Sequence, residues 1–281
     1  MSAGGGVTEG LSVSRLAEAW ETVRTALDPP ELTAIFASTL PSTQALAHSL
    51  VKQCVHEDEG PLPFAIAALE QTQGHGRHGR EWSSPAGGGL YCSLVLPVDS
   101  PERLQQFPLR TATALAEFLN QRLGGRCRIK WPNDLVVGRR KIGGILVDAI
   151  TPPAPATTWA ILGMGVNFLT PSVLGGGMAT SLLEEAAVPG GLEQELPGLL
   201  VRAISTVWSA VHSEENDWVE RFVRLTAHEP GEKLRFRTAT EDVAGTFAGF
   251  DAHGFLRLQS NSGGEGGDGV RVVRSGEIFA W

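Results

Sequence analysis

The 281-residue chain has no run of 18 apolar residues, so no transmembrane helix is expected. It is poor in cysteine. Cys54, Cys92 and Cys127 are odd in number, widely spaced and without metal-ligand spacing, which argues for reduced thiols in a cytoplasmic protein rather than a disulfide framework or a zinc site. It also lacks positive charge: a formal net charge of −8 and a pI near 5.4 argue against non-specific nucleic-acid binding by the whole protein. The amino-terminal MSAGGGVTEG carries neither a basic n-region nor an apolar h-region, so no secretory leader is expected. Segment 1–37 offers one helix, SRLAEAWETVRTAL, before Asp28-Pro29-Pro30. A helix-turn-helix needs two or three helices and a basic face, so the segment is not expected to bind DNA. Two nucleotide signatures are missing too. There is no G-x-x-x-x-G-K-[ST], and Phe168 stands where the third glycine of a dinucleotide fingerprint would follow GMGVN.

What is present suffices for a substantial core, with 42% hydrophobic residues and a length suited to about two domains. TQALAHSLVKQC suits a helix capped by Ser42 or Thr43. PFAIAALEQ reads as a buried strand, and GLYCSLVLP alternates with Leu90, Cys92, Leu94 and Leu96 on one face. Pro108 is placed to open a helix that runs to Gly124-Gly125. LVV and KIGGILVDAI flank a hairpin turn at Gly138-Arg139, TTWAILGMGVNF is a further strand, and helices follow over 192–211 and 217–225. From Glu229 short strands separated by glycine and acidic turns predict a small β-barrel. The expected architecture is mixed α/β over 38–227, followed by an all-β domain over 228–281.

Four stretches carry chemistry. GHGRHGR at 74–80 combines glycines that permit close backbone approach with Arg77 and Arg80, forked donors suited to phosphate or carboxylate. Lys130-Trp131-Pro132-Asn133-Asp134 sets an amide and a carboxylate at a strand end, and Lys141 follows Asp134 by seven residues across the hairpin, ahead of Gly143-Gly144. Gly163 and Gly165 in GMGVN leave room for something to approach their strand. Ser42-Thr43-Gln44 taken alone is a helix cap.

In this order and spacing the four stretches closely resemble the biotin protein ligases, over roughly residues 38–281. GHGRHGREW is similar to that family's adenylate loop, KWPND with KIGGIL to its most specific signature, and GMGVN to its GxGxN strand. His75 replaces a commoner arginine, and Gln44 stands where asparagine is usual. The resemblance implies a class II synthetase-like mixed-sheet catalytic domain with a carboxy-terminal SH3-like barrel. It implies a biotin–[biotin carboxyl-carrier protein] ligase of the type without a DNA-binding domain. Biotin and ATP would form biotinyl-5′-AMP with release of pyrophosphate, and a carrier-domain lysine would then take the biotin and release AMP. Catalytic roles fall to Arg77, Lys141 and Asp134. Biotin contacts fall to Ser42, Thr43, Gln44, Gln71, Gly74, His75, Gly76, Gly163 and Gly165, with Arg77 and Lys141. Nucleotide contacts fall to Arg77, Arg80, Trp82, Asn133, Lys141 and Asn167. No protein metal site is assigned, Mg²⁺ arriving with ATP. The implied partner is a carboxylase carrier domain, with no DNA or membrane partner, and a homodimer is left open. A lipoate–protein ligase and a biotin-responsive repressor are the rival readings. The KWPND and KIGGIL pairing speaks against the first, and the absence of a basic recognition helix against the second.

Overall fold

A computed structural model of the chain describes residues 32–56, 62–153, 157–169, 178–186, 192–215, 217–238, 241–260 and 269–280. The helix expected in SRLAEAWETVRTAL, and with it the matter of a DNA-binding unit, lies outside these residues. Among the described residues no helix is long and apolar enough to cross a membrane.

The larger part of the described chain is built on one seven-stranded sheet. Its strands are β1 (Thr33–Leu40), β2 (Phe64–Gln71), β3 (Gly89–Val98), β4 (Cys127–Lys130), β5 (Asp134–Val137), β6 (Arg140–Ile150) and β7 (Thr158–Asn167), in the order β1-β2-β3-β7-β6-β5-β4. Only β1 and β2 are parallel, because helix α1 (Thr43–His56) crosses between them; the other neighbours are antiparallel. Strand β1 begins at Thr33, inside the segment 1–37 that the sequence set apart.

Helices cover both faces, so the central strands are buried on both. Helix α2 (Pro101–Leu123) packs Phe107, Leu115 and Leu119 into one core with Leu90, Cys92, Leu94 and Leu96 of β3. On the opposite face α1 packs Ala47 and Val51 against Ile66, Val95 and Ile161. Helix α2 starts seven residues before the expected Pro108. Ser100 caps it by accepting from Arg103 N at 3.2 Å, and Pro101 takes the first turn, where its missing N–H costs nothing. Pro108 is carried inside the helix by fully buried Phe107 and by Leu109, whose packing outweighs the lost backbone bond. Helices α3 (Leu182–Glu185), α4 (Leu192–His212) and α5 (Trp218–Leu225) complete the layer, α4 and α5 against α2.

Strands β8 (Lys233–Arg237), β9 (Asp242–Phe250), β10 (Leu256–Ser260), β11 (Val270–Val273) and β12 (Glu277–Ala280) form an antiparallel sheet ordered β11-β10-β9-β8-β12. Among the described residues its edge strands β11 and β12 do not pair, so the sheet is open where a barrel was expected. It shares the main core: Leu234, Phe236, Leu256 and Ile278 belong to the same buried cluster as α2. Gly254, at φ +77°, brings its backbone so close that a Cβ would stand 2.7 Å from Leu109 Cδ1. Its carbonyl accepts from Trp131 Nε1 at 3.2 Å, which pins the start of the WPND turn to the carboxy-terminal sheet.

Trp131→Phe keeps most of that packing and leaves the buried Gly254 carbonyl without its donor. Urea unfolding is expected to show a loss of about 1–3 kcal/mol. An unchanged midpoint at constant slope would mean that this tie contributes nothing.

Candidate active site

A cavity of about 690 Å³ lies between the first turn of α1, the α1-side face of the sheet and the 74–82 loop. Its floor is glycine. Gly163 and Gly165 project to one side of β7, and Gly144 of β6 is paired with Gly165. Trp82 lies on this floor: a Cβ on Gly165 would stand 2.5 Å from its ring, and one on Gly144 3.5 Å. The indole is 7% exposed, its Nε1 has no hydrogen-bond partner among the described residues, and Lys141 Nζ sits 5.4 Å from the ring centroid. The space above Gly165 thus holds tryptophan.

The loop doubles back by backbone pairing. Trp82 N donates to Gly74 O at 2.8 Å and Gly76 N to Arg80 O at 2.7 Å. A Cβ on Gly74 would stand 2.4 Å from Trp82 O, so only glycine permits the return. Arg77 points inward and donates to Asn133 Oδ1 at 2.9 Å, while Asn133 Nδ2 donates to Ile145 O at 2.7 Å. Asn133 therefore uses its amide to aim Arg77. Burial pulls the Arg77 guanidinium down from its ordinary value, opposed by Asp134 and Glu277. Arg80, at the exposed rim of the cavity, grips Glu277 of β12 with both terminal guanidinium nitrogens, Nη2 at 2.5 Å. That bond holds the Glu277 carboxyl below the usual glutamate range.

Lys141 Nζ pairs with Asp134 Oδ1 at 2.7 Å across the β5–β6 hairpin. Its backbone is held as well: its N–H donates to Met178 O and its carbonyl accepts from Thr180 N, each at 2.9 Å. Lys130 also lines the cavity, its ammonium pulled down by burial and by Lys141 and supported by Asp134.

The other end is neutral and polar. Ser42 Oγ accepts from Ala45 N at 3.3 Å, so it caps α1, and it lies 3.4 Å from His75 Nδ1. Gln71 Oε1 accepts from Thr43 N at 2.8 Å and from Thr43 Oγ1 at 3.1 Å, and Gln71 Nε2 donates to Ser84 Oγ at 2.9 Å. Ser93 Oγ lies 2.9 Å from Thr43 Oγ1 and 2.8 Å from Gln44 Oε1.

Most residues singled out from the sequence meet in this cavity. Two do not. Gly74 acts one layer out, in closing the loop. Asn167 is 1% exposed and donates its amide to Thr180 O at 2.9 Å, so it braces the end of β7 and does not line the cavity. Lys130, Ser93 and Glu277 line the cavity and were not assigned. Lys130 stands in a stretch already singled out; Ser93 shows only as a polar residue in an apolar strand; Glu277 has no local signal.

The profile of the Biotin/lipoate A/B protein ligase family matches residues 36–167. The biotin--[acetyl-CoA-carboxylase] ligase of Paracoccus denitrificans is 30% identical over 232 residues, covering 76% of this chain and 89% of that protein. The chain belongs to the biotin protein ligase family. The bifunctional ligase/repressor BirA of Bacillus subtilis is 34% identical over 134 residues, 47% of this chain; the chain spans only 39% of that relative's length. In fold, this biotin protein ligase family member is similar to the biotin protein ligase from Aquifex aeolicus in complex with biotin and ATP, with a TM-score of 0.64 and 23% identity over 88% of this chain and 97% of that one.

A glutamate whose folded pKa is depressed stabilises the fold above its unfolded pKa, and the contribution fades as pH falls through the folded value. The melting-temperature gap between wild type and Glu277→Gln is therefore expected to be full at pH 7 and to close below the ordinary glutamate range. A gap that is constant down to pH 3 would contradict the Arg80–Glu277 latch.

Proposed function

We propose that the protein is an ATP-dependent biotin–carboxyl-carrier ligase. The observation that carries this reading is one glycine-floored cavity with two chemically distinct ends. One end carries cationic Arg77, Lys141 and Lys130; the other carries the neutral wall of Ser42, Thr43, Gln44 and Gln71. A neutral cyclic urea suits the polar wall, and a carboxylate meeting a triphosphate suits the cationic end.

In the first half-reaction a biotin carboxylate oxygen bonds to the α-phosphorus of ATP and the bond to the bridging oxygen breaks, releasing pyrophosphate. This displacement needs two anions brought together and the growing charge neutralised. Arg77, aimed by Asn133, and Lys141, aimed by Asp134, supply both. Mg²⁺ arrives with the triphosphate; among the described residues there is no cluster of three His, Cys, Asp or Glu able to hold a metal. The loop and Trp82 keep water from the mixed anhydride. In the second half-reaction the neutral amine of a carrier lysine attacks the acyl carbon, an amide forms, and AMP leaves. The carrier is a biotin carboxyl-carrier domain of a carboxylase. The carboxy-terminal sheet acts as an SH3-like cap whose Glu277 holds the loop. Three free thiols and the use of ATP suit a cytoplasmic enzyme.

Biotin-dependent exchange of labelled pyrophosphate into ATP, with no carrier present, is the direct assay, and its absence in folded protein would remove the reading. Lys141→Ala is expected to slow single-turnover adenylation by about 10²–10³, the effect of losing a charged stabiliser worth ~2.7–4 kcal/mol. Lys52→Ala, on the exposed side of α1, is expected to match wild type. Equal rates in the two variants would take Lys141 out of the mechanism.

A further inference from the structure

The Gln44 amide is saturated on one side. Its Nε2 gives one hydrogen to Asp148 Oδ2 at 2.9 Å and the other to the Ile161 carbonyl at 3.0 Å. Both partners only accept. They sit together because Asp148 of β6 is paired with Ile161 of β7. Turned over, the amide would set its oxygen against a carboxylate and a carbonyl, so the orientation is fixed and Oε1 faces Ser93 and Gly163. A Cβ on Gly163 would stand 2.7 Å from that oxygen.

The wall is then rich in acceptors. Ser93 has one hydroxyl hydrogen for two acceptors, Gln44 Oε1 and Thr43 Oγ1. Thr43 Oγ1 gives its own hydrogen to Gln71 Oε1. Ser93 serves only one of them at a time; Thr43 Oγ1 is already engaged with Gln71, so Gln44 Oε1 has at most the Ser93 hydrogen and keeps a lone pair for a further donor.

We propose that Asp148, which lies behind Gln44 and does not line the cavity, is a positioning residue that sets the polarity of this wall. Through Gln44 it makes the wall select a ligand head that presents an N–H at this point. The proposal rests on the biotin reading, in which that donor is a ureido N–H. His48 Nε2 lies 3.7 Å from the same Asp148 oxygen on the outer side, and both side chains are about a third exposed. Asp148 is thus close enough to solvent to be altered without opening the core.

Asp148→Asn keeps the size and replaces an obligatory acceptor by an amide that can also donate, so the Gln44 amide keeps only Ile161 O as a fixed acceptor and its orientation is less strongly held. A hydrogen bond to a charged group corresponds to a factor of about 10–100, and partial exposure puts this one at the low end. In pyrophosphate exchange the KM for biotin is expected to rise about tenfold, with kcat and the KM for ATP within about twofold of wild type. The preference for biotin over biotin methylated on its ureido nitrogens is expected to shrink by a similar factor. The double variant Gln44→Asn/Asp148→Glu moves one methylene from α1 to β6, keeps the span between them, and is expected to restore both values. An unchanged biotin KM in Asp148→Asn overturns the proposal, as does a parallel change in kcat and in the KM for ATP, which is what general loosening of the fold would give. Calorimetry separates the two levels. Wild-type protein that binds no biotin overturns the underlying reading as well, whereas wild-type binding that Asp148→Asn leaves untouched overturns this proposal alone.

Discussion

The site depends on a patch of sheet with no side chains. Gly144, Gly163 and Gly165 leave bare backbone on two adjacent strands, and that surface is where Trp82 lies and where Gln44 meets the wall. A methyl group at Gly165 would collide with the indole at 2.5 Å, and the strands cannot retreat because their other face is packed against α2. With Trp82 seated, the chain before it must fold back over the sheet, and Gly74 makes that return sterically feasible. The position of Arg77 therefore follows from glycines on strands more than sixty residues away.

The cationic end has its charges matched in advance. Lys141 is paired with Asp134, Arg77 is bonded to Asn133, and Arg80 is gripped by Glu277. Arg77 and Lys141 are partly buried and need such partners while no anion is bound, whereas Arg80 is exposed and its pairing serves to tie the loop to β12. The partners also orient: each fixes a flexible side chain in one direction, which in the proposed reaction lowers the ordering cost of binding an anion. An incoming anion exchanges with these contacts rather than meeting unsolvated charge. This favours interactions that strengthen as the reaction proceeds over tight binding of the ground state.

How much was legible in the sequence follows the range of each contact. Asp134 and Lys141 meet across a two-residue hairpin turn, so a spacing of seven residues was enough to join them. The helix cap at Ser42 and the close approach at Gly163 were likewise local matters of residue type. Glu277 was invisible because its partner lies 197 residues away and its strand reads like any other edge strand. Asn167 was singled out by its motif alone, and the partner its amide meets, at 178–180, lies on a segment the motif does not include. The start of α2 was missed because Ser100-Pro101 is as good an opening as Pro108, and only the packing around Phe107 decides between them. The carboxy-terminal segment was seen as short strands, with β11 and β12 in one stretch; closure depends on pairing between edges, which a strand pattern does not specify.

The two ends of the cavity work by different physics, and the fold keeps them apart. At the cationic end strength comes from charge, which reaches several ångströms and tolerates small misplacements. At the polar end nothing is charged, so discrimination rests on which atoms donate and which accept, and a single amide turned over would reverse it. That end is accordingly built from residues on three neighbouring strands and the first turn of α1, each hydrogen-bonded to another: Gln71 to Thr43, Thr43 and Gln44 to Ser93, and Gln44 to Ile161. The cationic end hangs instead on a loop and a hairpin, where Arg77 is held by one hydrogen bond to Asn133. The polar end is thus fixed by the sheet, while the cationic end is fixed by the bonds that close the 74–82 loop and tie it to Asn133 and Glu277.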